Sequence, residues 1–236
     1  MIRNSENAAY NYHKQMVGAG SAVSTSDGQQ MLWDAERTPV TMIAYAPFMS
    51  EATPDASLTV NALTNQSTEE NVKSSDFLLM KATVDPEQDL TADGKLKISL
   101  NHAMSKLIIK ITVNGTTDAS MSKLGDMAIN GAVVNATCDL SAAAPVVVPA
   151  ADAVVATVAP YKGTESCECI LPPQKIAEGF SVNFSYDGKL YIWTAKEAIE
   201  LEEGVEHTLT LNVNTTVRLA AEMARTWATG QLTDRN

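Results

Sequence analysis

The chain has 236 residues, enough for one large domain or two small ones, and its 45% hydrophobic content can fill a core. Asp and Glu total 28 against 17 Lys and Arg, a net charge of -11. Such acidity repels phosphate and anionic head groups, which argues against nucleic acid as a partner, and no run of about 18 apolar residues exists to span a membrane.

In chain order, the stretch Met1 to Asn7 has no apolar h-region and no cleavage site. Either the protein is cytosolic or an export signal has been removed. Ser5 to Met16 predicts a short helix. Val40, Met42 and Ala44 alternate with Thr41, Ile43 and Tyr45 until Pro47, which predicts a strand. Thr83 to Lys95 is polar, carries Pro86 and Gly94, and reads as a loop. Leu96, Ile98 and Leu100 predict a further strand, broken at Asn101-His102-Ala103. The apolar phase then switches to Leu107, Ile109, Ile111 and Val113, as a bulge or bend would produce. Ser141 to Pro160 reads as a linker in which Pro145 and Pro149 exclude a central strand.

The clearest hairpin runs from Phe180 to Trp193. Phe180, Val182, Phe184 and Tyr186 share one parity, Asp187-Gly188 supplies a two-residue turn, and Leu190 and Ile192 continue on the return strand. Thr194-Ala-Lys-Glu197 has the form of a capping box. A turn at Glu202-Glu203-Gly204 precedes the alternating His207, Leu209, Leu211 and Val213. In the tail, Arg218 to Arg225 has helical composition, but Val217, Leu219, Ala221, Met223 and Trp227 share one parity; the strand reading is adopted. Strands at short, turn-punctuated spacing point to an all-β chain of sandwich type with few short helices.

No reactive cluster emerges. Cys138, Cys167 and Cys169 are odd in number, which argues against a full disulfide framework, and read as buried thiols. None of His13, His102 and His207 has a metal-ligand neighbour in sequence; His207 reads as a structural histidine, and His102 as one bonded to turn backbone. Asp85, Glu87 and Asp89 read as a solvated acidic loop rather than a calcium site. With no nucleophile, base and oxyanion site to assemble, the reading is a non-enzyme without metal or cofactor.

Several stretches together resemble the fimbrillin family, the subunits of donor-strand-assembled type V pili. They are Trp33 with Pro39-Val-Thr-Met-Ile-Ala-Tyr-Ala-Pro47, Ser75-Asp-Phe-Leu-Leu-Met-Lys-Ala82, Leu96-Lys-Ile-Ser-Leu-Asn-His-Ala-Met-Ser-Lys-Leu-Ile-Ile-Lys110, Ile170-Leu-Pro-Pro-Gln174, Leu201-Glu-Glu-Gly-Val-Glu-His-Thr-Leu-Thr-Leu211 and Trp227. The resemblance covers roughly residues 7–230. It implies two tandem transthyretin-like Greek-key β-sandwich domains, 1–94 and 95–236. It also implies export as an outer-membrane lipoprotein, with the family's lipobox cysteine and first strand not found before Met1.

Under that resemblance the chain is a structural subunit of a cell-surface pilus, or fimbria. Its partners are other pilus subunits, joined by β-strand addition, and host or bacterial surface ligands. The candidate polymerisation strand is Val217, Leu219, Ala221, Met223 and Trp227, either as donor strand or as its self-paired precursor. A tip adhesin or glycan-binding module on the same scaffold is the alternative. Only three Trp occur, and two of them fit strand positions, which favours the structural role.

Overall fold

The computed structural model describes residues 1–19, 22–115, 117–213 and 219–226. Strands come in chain order as β1 (Ile2–Arg3), β2 (Met16–Ala19), β3 (Ala22–Thr25), β4 (Val40–Ala46), β5 (Ser57–Asn61), β6 (Leu78–Val84), β7 (Asn101–His102) and β8 (Ser105–Val113). There follow β9 (Thr117–Asp118), β10 (Leu124–Val133), β11 (Asn135–Asp139), β12 (Val147–Pro149), β13 (Val155–Val158), β14 (Tyr161–Lys162) and β15 (Cys167–Leu171). The last are β16 (Gln174–Ile176), β17 (Ser181–Tyr186), β18 (Lys189–Thr194), β19 (Ile199–Leu201), β20 (Glu206–Val213) and β21 (Leu219–Thr226). One α-helix, α1 (Glu69–Ser75), lies between β5 and β6.

Four sheets carry the fold. Their strand orders are β1-β4-β6-β7, β12-β11-β5, β13-β10-β17-β18, and β14-β15-β8-β20-β21 with β9 on β8. The last two supply most of the core. β8 turns Leu107, Ile109 and Ile111 inward, β20 adds His207, Leu209, Leu211 and Val213, and β10 and β17 contribute Ile129, Val182 and Phe184; all are buried. The period-two alternation read in the sequence is therefore the burial pattern itself, because successive strand residues face opposite sides. Each fully buried aliphatic or aromatic side chain stabilises by roughly 1.5–3 kcal/mol relative to exposure.

β4 is covered on both faces. Val40 and Met42 pack with Ile2 and Val84 under Trp33, whereas Ile43 and Tyr45 belong to the main core. The strand ends at a cis Ala46–Pro47 bond. In the β17–β18 hairpin, Asp187 and Gly188 take φ values of 51° and 75°, the two left-handed residues of a tight turn.

Several expectations are corrected. Leu96 to Leu100 is not a strand; Leu96 makes a single bridge to Leu90, Lys97 to Ser99 are exposed and Leu100 is half-buried. Ser5 to Met16 forms only a 3-10 turn at Ala8–Tyr10. Thr194 to Glu197 ends β18 and bends instead of capping a helix. The helix that does form starts where Thr68 accepts a bond from the Asn71 N–H, with Glu69 and Glu70 favourable in its first turn. The proline-bearing linker contains β12 and β13, both of them edge strands, and Pro149 lies on β12, where an edge tolerates it.

Residue 94 lies in the loop between β6 and β7, but pairings cross it. β5 pairs with β11, and Leu78 of β6 pairs with His102. Gln66 adds a side-chain link: fully buried, it donates to the Leu63 and Ile170 carbonyls at 2.9 and 2.8 Å and accepts from the Ile170 N–H at 2.8 Å. It serves both backbone groups of Ile170 as a neighbouring strand would. Lys81 donates to the carbonyls of Leu140 and Ala142 at 2.7 and 2.8 Å.

Candidate assembly edge

The candidate polymerisation strand begins with the turn before β20. Gly204 adopts φ 66° and donates to the Met104 carbonyl at 2.9 Å. A Cβ at this position would lie 3.0 Å from the His102 carbonyl oxygen. His207, buried, accepts the Glu202 N–H on Nε2 at 3.0 Å. Burial holds the imidazole below its ordinary pKa, in keeping with a neutral acceptor. This fixes the start of β20, which then runs parallel to β8 and antiparallel to β21.

β21 opposes β20 over eight residue pairs, from Glu206↔Thr226 to Val213↔Leu219. Leu219, Ala221 and Met223 stand opposite Val213, Leu211 and Leu209, the fully buried row of β20. Val217 and Trp227 lie outside the described residues. Among the described residues β21 is the last strand of its sheet, and it lies beside β18, the last strand of another. The structure thus brings three of the five candidate positions onto one terminal strand, held to its neighbour through backbone pairing.

The motif residues behind the sequence resemblance hold this frame. Gln174 accepts the Val133 N–H and donates to the Val133 carbonyl, both at 2.9 Å. Trp33 donates from Nε1 to the Thr38 carbonyl at 2.8 Å. His102 departs from its expected backbone bond: Nδ1 meets Asp76 Oδ2 at 2.6 Å, joining β7 to the C-terminal cap of α1. The hydrogen bond to Asp76 raises the imidazole pKa, with its charge adding to the shift, against burial and the Lys106 charge. Lys106 pairs with Glu168 at 2.8 Å and lies 3.8 Å from Glu206, where β15, β8 and β20 meet.

The other candidate chemistry is structural. Cys138, Cys167 and Cys169 are free and buried. Burial pushes the Cys138 and Cys167 thiols up to about 11 and Cys169 higher still. In the acidic loop, Asp89 accepts the Asp85 N–H at 2.7 Å and Asp85 accepts the Glu87 N–H at 2.9 Å. These carboxylates therefore cap their own turn. His13 Nε2 meets the Tyr45 hydroxyl at 2.9 Å, and Tyr45 donates onward to the Met49 carbonyl. Among the described residues no group of three or more His, Cys, Asp or Glu is placed to hold a metal ion, and no helix is long and apolar enough to cross a membrane.

Comparison with known proteins follows the same lines. A search of curated proteins gave no match. Among solved structures, a candidate cell adhesion protein from Bacteroides uniformis superposes with a TM-score of 0.68 at 17% identity, over 94% of this chain and 88% of that one. A candidate cell adhesion protein from Bacteroides ovatus gives 0.66 at 15% identity, over 97% and 86%. A fimbrial protein from Bacteroides ovatus gives 0.56 at 16% identity, over 90% of this chain and 44% of that one. These likenesses show a shared fold. The fimbrillin-like family model matches residues 2–225, nearly the whole chain, and the chain therefore belongs to the fimbrillin-like family of cell-surface pilus proteins.

Proposed function

We propose that this chain is a structural pilus subunit that joins its neighbours by β-strand addition, with Val217, Leu219, Ala221, Met223 and Trp227 as the polymerisation strand. The observation that carries the reading is the position of β21, which among the described residues is a terminal strand paired along one side. Strand addition uses such an edge: backbone hydrogen bonds give affinity, and alternate apolar residues give specificity.

The energetics favour exchange. Eight residue pairs correspond to about eight backbone hydrogen bonds. At roughly 0.5–1.5 kcal/mol each, they contribute about 4–12 kcal/mol. Ordering the backbone of eight residues costs about 8–16 kcal/mol at roughly 1–2 kcal/mol per residue. A strand so near balance can leave β20 and make the same bonds to a neighbour, or admit a neighbour's strand in its place.

On this reading the chain is exported as an outer-membrane lipoprotein, acts through assembly rather than catalysis, and divides at residue 94. The strand from Ser57 to Asn61 is then an N-terminal contribution to the second unit's sheet. The test compares the full chain with one ending at Val213 on gels run without boiling. The full chain gives a ladder of oligomers and the shortened chain runs as a monomer; equal ladders would refute the assignment. A chain that never forms a ladder yet binds a glycan array would instead be a tip adhesin.

A further inference from the structure

We infer that β18 is a contact edge through which two copies of this chain join side by side. β18 pairs only with β17 among the described residues. The two-residue turn makes Tyr186 and Lys189 the first hydrogen-bonded pair, and pairing alternates from there. Tyr191 and Trp193 therefore bond to β17. The N–H and C=O groups of Leu190, Ile192 and Thr194 point to the open edge.

The side chains of those three residues lie on the outer face, where Leu190 is 86% and Ile192 68% exposed. Their inward neighbours are anchored: Tyr191 stacks on Phe184 at 5.5 Å and Trp193 meets Phe180 edge-on at 6.2 Å. Natural edges are blunted by proline, a bulge or an inward charge. The segment from Leu190 to Thr194 carries none of these.

Charge selects the occupant. At -11, two copies repel each other over most of their surface. Here repulsion is weaker, because Ser185, Asn183 and Ser181 on β17 and Ala128 and Asn130 on β10 are uncharged, and the exposed charges of Asp126 and Lys189 lie towards the turn end of the hairpin. A charged partner would lose hydration against this face and gain no counter-charge. The matching surface is an uncharged edge of equal length, and a second β18 supplies one.

Antiparallel pairing about a two-fold axis through Ile192 sets Ile192 against its own copy and Leu190 against Thr194, so each edge group meets a partner. The strip buries on the order of a few hundred Å² per copy, below the roughly 800 Å² of a standard interface. It is weak between single molecules and becomes cumulative where many copies are aligned. The pairing itself rests on β18, whereas its cumulative effect rests on the assembly proposed above.

Two experiments on the full chain test it. In an Ile192→Cys variant under mild oxidation, the paired Cα atoms lie about 5.5 Å apart, within disulfide reach, and the native thiols are buried. A band of doubled mass is expected on a non-reducing gel, far faster than in an exposed Lys97→Cys control. In sedimentation, the mean mass of the unmodified protein rises with concentration more steeply than that of Leu190→Lys. A protein that stays monomeric at every concentration, equal cross-linking of the two cysteine variants, or association unchanged by Leu190→Lys would each overturn the inference.

Discussion

Gln66→Met is the substitution whose cost the structure defines best. The two side chains are close in volume, so packing changes little while three hydrogen bonds are lost: two donated, to Leu63 and Ile170, and one accepted from Ile170. Gln66 is fully buried, so the N–H and C=O of Ile170 are left facing a thioether. An orphaned buried polar group costs about 1–3 kcal/mol. Two such groups, with the weaker loss at Leu63, give about 3–5 kcal/mol, a large share of a typical stability of about 5–15 kcal/mol. In urea, with a slope of roughly 2–3 kcal/mol per M, the unfolding midpoint falls by about 1–2.5 M. Exposed Gln29 serves as the control, and Gln29→Met leaves the midpoint in place. A loss at Gln66 below about 1 kcal/mol would show that Ile170 has other partners and refute the clamp.

Other predictions concern the backbone, the thiols and pH. Gly131 has φ 92°, and a Cβ there would lie 2.5 Å from the Gly179 carbonyl oxygen; Gly131→Ala should destabilise by at least about 3 kcal/mol in the same assay, because backbone rather than a flexible side chain blocks it. Cys138, Cys167 and Cys169 should not react with a thiol reagent in the native protein and should all react in denaturant; rapid labelling of any of them at neutral pH would contradict their burial. The His102–Asp76 pair sets a pH dependence. The folded imidazole pKa is raised above its ordinary value of about 6.5, so its stabilisation is complete below about pH 6.5 and is lost as pH rises through the raised value. Unfolding midpoints for wild type and His102→Gln should therefore converge at alkaline pH and separate at pH 6; a gap independent of pH would show that the pair carries no proton linkage.

Much of the architecture was legible because alternation maps directly onto burial. Leu107, Ile109 and Ile111, and the Phe180 to Tyr186 parity, lie where the pattern put them. The tail also formed a strand despite its helical composition, since pairing with β20 outweighs a weak intrinsic preference. What stayed hidden depends on partners far away in sequence. The parallel pairing of β8 with β20 joins residues about a hundred positions apart, and no local pattern encodes it. Leu96 to Leu100 shows the converse, an alternating stretch that forms one bridge and no ladder. Gln66 and Gln174 act as stand-ins for strand backbone, which neither composition nor periodicity can reveal. The helix at Glu69 did carry a local signal, Thr68 followed by two acidic residues. Leu190 and Ile192 continued the hairpin as expected, yet they face outward because the two-residue turn places Tyr191 and Trp193 opposite the core row of β17.

The most direct test of strand addition separates the strand from the body. A chain ending at Val213 is mixed with a synthetic peptide spanning residues 217–227, and binding is followed by calorimetry. One-to-one binding is expected, together with loss of binding when Leu219→Asp and Met223→Asp are introduced into the peptide and little change for Glu222→Gln. A peptide that does not bind a folded shortened chain, or one that binds equally well with both aspartates in place, would contradict the account.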